Sequence, residues 1–169
     1  MNFVSSRPSR QINWQTIIMF ALGFWLSGSL VLDCLIIPGL LSAGMMNEPG
    51  FAGASYTIFG SFNHVEALCA ALVLTGCLVF RYGDRSTMHI NNKSIFLATV
   101  LLAIALVYTY NLTPHMSAMG LSLNQFESIG ATSGSMTTMH VSYWILEATK
   151  LICGATLLRS FYRNSCSLG

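Results

Sequence analysis

Four stretches of the chain are almost continuously apolar, and polar residues gather between them: Trp14 to Leu41, Tyr56 to Phe80, Ser94 to Leu112 and His140 to Leu158. Each approaches or exceeds the roughly 20 helical residues that cross a hydrocarbon core of about 30 Å. Runs such as IFLATVLLAIALVYTY lack the alternation, over about ten residues, of a membrane barrel strand. Backbone groups in lipid must be satisfied within the protein, so helix is the remaining spanning structure. The pattern predicts an all-α integral membrane four-helix bundle, one domain over residues 1–169, built from two helical hairpins. The expected loops are Ala43 to Ser55, Tyr82 to Lys93 and Thr113 to Met139, the last with a short helix around Leu121 to Ile129.

Composition agrees with this pattern. Hydrophobic residues make up 53% of the chain and charged residues 8%, against about 25% in a typical soluble domain. The basic residues then give an orientation, because Lys and Arg near spans are retained on the cytoplasmic side. Arg7 and Arg10 precede the first span, Arg81, Arg85 and Lys93 lie between the second and third, and Arg159 and Arg163 follow the fourth. The other two loops hold no Lys or Arg, which puts both termini in the cytoplasm and the loops around Glu48 and Glu127 outside. The expected location is a plasma or thylakoid membrane. A net charge of +2 gives no reason to invoke nucleic acid; the lipid bilayer is the implied partner, and other membrane subunits are candidates.

Several local signals lead nowhere. The first apolar run is too long for a signal-peptide core of about 7 to 15 residues, and it carries Asp33. Cys34, Cys69, Cys77 and Cys153 fall in apolar runs, which makes them small filler rather than a disulfide framework. The terminal CSLG ends in Gly, unlike a prenylation box, and Asn111-Leu112-Thr113 sits at a span end, where a glycan is not expected. Gly23 with Ser27, Gly60, Ala67, Ala71 and Gly154 are the expected points of close helix approach.

FALGFWLSGSLVLDCLIIPGLLSAG in the first span, GFAGASYTIFGSFNHVE after it, YTYNLTPHMSAMG closing the third span and MHVSYWILEATKL opening the fourth together resemble the uncharacterised four-span family of transmembrane-protein-205-like proteins, especially its cyanobacterial members. The resemblance covers nearly the whole chain and implies four spans but no activity. A more distant likeness, to copper-resistance D type membrane proteins and to four-span proteins grouped with anthrone oxygenases, is one of fold only.

Ionisable residues within a span are costly to insert and therefore mark candidate sites. Counting about 1.5 Å per residue from Arg81, Lys93 and Arg159 puts Glu66 roughly 22 Å, His64 roughly 25 Å, Asn111 roughly 26 Å, His140 roughly 28 Å, Glu147 roughly 18 Å and Lys150 roughly 13 Å above the basic anchors. Asp33 lies in the outer part of the first span. These seven residues form the expected polar layer, and an outward-facing cavity would follow if they point inward. His140, Trp144, Glu147 and Lys150 are spaced to share one helix face, so Glu147 is expected to pair with Lys150, while His64 and Glu66 point to nearly opposite sides. The competing account is structural: one neutral ion pair, with the histidines and Asp33 near the headgroups.

Six of the nine methionines lie in the two outer segments. His115, Met116, Met119, Met136, Met139 and His140 form a candidate Cu(I) set, since thioether and imidazole suit that ion, although methionine equally serves as adaptable apolar filler. Haem held by His64 and His140 is the remaining cofactor candidate. No nucleophile–base motif, phosphate loop, zinc-protease signature or di-iron pattern is present, so a non-enzymatic role is favoured. Three function classes stay open: small-solute or ion handling, involving a proton or a soft metal; an accessory or assembly subunit of a larger membrane complex; and a redox or haem-binding protein.

Overall fold

The computed structural model describes residues 14–45, 50–82, 91–115 and 134–166, and these are helical apart from short turns, with no strand among them. Helix α1 (Trp14–Val31) continues through a π-helical turn at Leu32–Ile36 into α2 (Ile37–Ser42). Then come α3 (Phe51–Tyr82), α4 (Asn92–Val107) with a second π-helical turn at Tyr108–Leu112, and α5 (Gly134–Cys166). Four segments are long and apolar enough to cross a membrane: Trp14–Leu40, Gly53–Tyr82, Asn92–His115 and Val141–Asn164, called spans 1 to 4 here. The helices outrun the apolar stretches that predict them. At 33 residues α5 is about 50 Å long, well beyond a hydrocarbon core of about 30 Å, and it already starts at Gly134, within the expected outer loop. Apolar pattern reports the length immersed in lipid, and the helix continues where its side chains turn polar. The expected Leu121 to Ile129 helix lies outside the described residues.

The spans form an antiparallel ring, each against its neighbours in sequence, with span 1 closing on span 4. At one end, Gln15 donates to the Phe161 carbonyl at 3.4 Å, joining span 1 to span 4, and Arg81 donates to the Asn92 side chain, joining span 2 to span 3. Arg81, Lys93, Arg159 and Arg163 lie at this basic end; the opposite one is the far end. The core repeats every three or four residues on each helix: Ile18, Leu22 and Trp25; Ala70, Val73 and Cys77; Ala98, Leu101 and Ala105; Leu157 and Phe161. Outward positions such as Phe20, Leu68, Phe96 and Ile152 are 66–75% exposed and suit contact with acyl chains.

Close approach depends on two glycines, only one of which spacing singled out. A Cβ on Gly76 would stand 2.5 Å from the Ile18 side chain, and one on Gly154 2.7 Å from Leu26. Gly154 was expected; Gly76 was not. Gly23 and Gly60 have nothing within 4 Å of the same position, and Ser27 is exposed, so these three are not packing points. Cys69 and Cys77 fill the core as expected, whereas Cys34 is exposed.

Both π-helical turns end two residues before a proline, Pro38 in span 1 and Pro114 in span 3. A proline ring collides with the carbonyl four residues back and brings no N–H of its own. Widening the preceding turn avoids that collision. The Ile37 N–H bonds the Leu32 carbonyl and the Thr113 N–H bonds the Tyr108 carbonyl, each reaching one residue further than an α-helical bond. The two widened turns carry Asp33 and Tyr108.

Candidate functional site

Above the apolar core, toward the far end, the buried face of every span turns polar. Span 1 presents Ser29 and Asp33, one and two turns beyond Trp25, and span 2 presents Asn63 and Glu66. Tyr108 continues the Ala98, Leu101 and Ala105 stripe of span 3. On span 4, Tyr143, Glu147 and Lys150 continue the face marked by Gly154, Leu157 and Phe161, all within about 80° of one another at 100° per residue. Glu66, Glu147 and Lys150 are only 1–3% exposed.

Lys150 is the centre of the cluster. Its Nζ lies 2.6 Å from Glu66 Oε1, across the bundle diagonal, and 2.8 Å from Glu147 Oε2 on its own helix. Ser29 donates to the same Glu66 oxygen at 3.0 Å. The Tyr108 hydroxyl reaches Glu147 Oε2 at 3.1 Å and the Tyr143 carbonyl at 3.2 Å, and the Tyr143 hydroxyl donates to Asp33 Oδ1 at 2.7 Å. The two tyrosine rings tilt against each other with centroids 5.5 Å apart, and Lys150 Nζ sits 5.3 Å from the Tyr108 ring centre. Nearer the far end, Asn63 donates to Thr113 at 2.6 Å and its carbonyl accepts from Thr109 at 3.3 Å, tying span 2 to the second π-helical turn.

The expected ion pair of Glu147 and Lys150 is present, but it is not a closed neutral pair. Glu66 shares the lysine, because a side chain leans toward the N-terminus of its helix and carries the ammonium up to the Glu66 level. Asp33, Glu66, Glu147 and Lys150 therefore meet in one cluster. His64 does not join them: it is exposed, with its ring Nδ1 2.6 Å from the Gly60 carbonyl, on the side of span 2 opposite Glu66. Haem ligation inside the bundle would thus lack its His64 ligand. Asn111 is exposed, and Trp144, 55% exposed, lies off the face that Glu147 and Lys150 share. Asp33, Glu66, Glu147 and Lys150 are closed off from solvent, and the groove beside Asn92, Lys93, Phe96 and Leu97 is at the basic end.

Of the candidate Cu(I) set, His115 is exposed at the end of span 3. Met136, Met139 and His140 lie in α5 with side chains outside the described residues, as do Met116 and Met119 altogether. Among the described residues no three His, Cys, Asp or Glu side chains are grouped to hold a metal ion.

Ser29, Tyr108 and Tyr143 are cluster members that pattern reading missed. Helical phase held the signal for Tyr143, which is four residues before Glu147 and seven before Lys150. For Tyr108 it was the small-residue stripe of span 3, which sets the buried face and leaves Tyr110 74% exposed. Compared with known proteins, the chain matches no family model, no curated protein and no solved structure.

Proposed function

We propose that the protein handles protons across its membrane through the cluster of Asp33, Glu66, Tyr108, Tyr143, Glu147 and Lys150. The supporting observation is an imbalance: three buried carboxyl groups face one ammonium group, and Asp33 Oδ2, Glu66 Oε2 and Glu147 Oε1 are buried without a hydrogen-bond partner. A network that only fastened helices together would gain from balanced charge and satisfied acceptors, since unpaired buried polar groups are destabilising. Ionisable side chains turned inward from several spans are the usual components of proton and ion pathways. A bound proton also needs less room than a metal ion, which fits a cluster packed this closely.

The experiment is proton movement into vesicles containing the purified protein, read by an internal pH-sensitive dye under an imposed membrane potential. Protein-dependent movement should fall at least tenfold in Glu147→Gln and stay unchanged in His64→Gln, whose side chain faces away from the cluster. Movement no greater than in empty vesicles, or undiminished in Glu147→Gln, rejects the proton reading. The accessory-subunit reading would then be the better one, with the cluster as an internal fastening.

The same proposal includes the orientation given by the basic residues, with both termini cytoplasmic, and membership of the four-span family that the sequence resembles. In a cysteine-free background, Met45→Cys at the far end should react with an impermeant thiol reagent added to intact cells. Tyr82→Cys at the basic end should react only after permeabilisation. The reverse result inverts the orientation.

A further inference from the structure

The donors of the cluster are directed at one oxygen of each acid. Glu66 Oε1 receives both Ser29, at 3.0 Å, and Lys150, at 2.6 Å. Glu147 Oε2 receives Lys150 and Tyr108, and Asp33 Oδ1 receives Tyr143. What remains is one oxygen on each acid, Asp33 Oδ2, Glu66 Oε2 and Glu147 Oε1, all buried and without a donor. Ionised carboxylates only accept hydrogen bonds, the Ser and Tyr hydroxyls and two of the three Lys150 N–H groups are already directed at other oxygens, and the Lys150 ammonium lies beside the Tyr108 ring. Of the three acids, Glu66 meets the cluster through Lys150, whereas Asp33 and Glu147 have their carboxyl groups within hydrogen-bonding reach of each other. A single proton placed between them supplies one oxygen with a hydrogen to donate and the other with a donor to accept from.

We propose that Asp33 and Glu147 share one proton in an O–H···O bond between their otherwise unpartnered oxygens, and that this pair is the proton-binding site of the cluster. Glu66 with Lys150 is then a fixed ion pair, which orients the ammonium and leaves its second contact on Glu147. With all four groups ionised the cluster carries three negative charges and one positive; the shared proton removes one of the two surplus negative charges. Release is a simple dissociation: the O–H bond breaks, the electron pair stays on the carboxylate oxygen, and the proton leaves. The titratable and charged groups around the pair are Glu66 on span 2, reached through Lys150, Tyr108 on span 3, and Tyr143 and Lys150 on span 4. Both tyrosines donate to the pair, one to each acid, so each carboxyl keeps a fixed orientation whichever of them holds the proton.

This inference rests on the proton reading of the cluster but names its site, and infrared spectroscopy tests it separately from transport. In an ester-free detergent at neutral pH, the protein should show the carbonyl stretch of a protonated carboxyl group, moved by exchange into heavy water. That band should disappear in Asp33→Asn and in Glu147→Gln alike and survive in Glu66→Gln. Absence of the band from the unsubstituted protein overturns the pairing without reference to any variant, so a variant that fails to fold cannot shield it. A band lost only in Glu66→Gln, lost in only one of the two acid variants, or kept in all three also overturns it. Vesicles that move protons without such a band would leave the proton reading standing and remove the shared proton. A band without proton movement would do the opposite.

Discussion

Lys150→Met should destabilise the protein by about 3 to 5 kcal/mol, the range for removing one partner of a buried ion pair and leaving the other charge uncompensated. Methionine has nearly the length of lysine, so the loss reports charge more than volume. The substitution strands Glu66 and Glu147, which are 1% and 2% exposed, with Asp33 beside them. Thermal unfolding in detergent measures the effect, and adding Glu66→Gln should recover part of it by removing one stranded carboxylate. Glu147→Gln alone should do less damage, because Lys150 keeps its contact with Glu66, and adding Lys150→Met to it should make matters worse instead of better. From sequence, Lys150 was paired with Glu147 alone, and for a purely structural pair of that kind removing both partners would recover most of the loss; the contact with Glu66 reverses this. If Lys150→Met unfolds within about 0.5 kcal/mol of the unsubstituted protein, as an ordinary surface change would, the lysine does not hold the cluster together.

The limits of that sequence reading have a physical origin. Which residues lie within the bilayer is a property of local composition, so the four spans were legible from apolar runs, and depth followed from a fixed rise per residue. Phase along one helix was legible too, which is why Glu147 and Lys150 were paired and why His64 was separated from Glu66. Contact between helices was not. That Glu66 crosses the diagonal to Lys150 depends on how span 2 is rotated against span 4, and no local pattern records a rotation between helices that are far apart in sequence. Polar character alone was a poor guide as well: Asn111 and His64 are polar and face outward, whereas Tyr108 and Tyr143, whose rings look apolar in a hydrophobic count, bring their hydroxyl groups to the acids. Pro38 and Pro114 stand near the ends of their apolar runs, where a proline suggests the end of a helix. Their consequence was a widened turn starting six residues earlier, at Leu32 before Pro38 and at Tyr108 before Pro114.

That pairing of widened turns with cluster residues gives span 1 a particular dependence on Tyr143. Asp33 lies within the first π-helical turn, 7% exposed, and the Tyr143 hydroxyl is 2.7 Å from its Oδ1, so this one donor ties the far end of span 1 to span 4. Tyr143→Phe deletes the hydroxyl and keeps the ring, including its tilted contact with Tyr108 and the edge contact with Trp144. A hydrogen bond to a charged group contributes about 1.5 to 3 kcal/mol, and that is the expected loss in detergent unfolding. Asp33→Asn combined with Tyr143→Phe should lose less than the two single changes added together, by about 0.5 to 3 kcal/mol, as residues in one network do. Tyr162→Phe supplies the comparison: its ring is 60% exposed near the basic end, and it should unfold within about 0.5 kcal/mol of the unsubstituted protein. Equal effects of the two Tyr→Phe changes, or simple additivity with Asp33→Asn, would mean that the Tyr143 hydroxyl does not hold Asp33, and span 1 would need another tie at this depth.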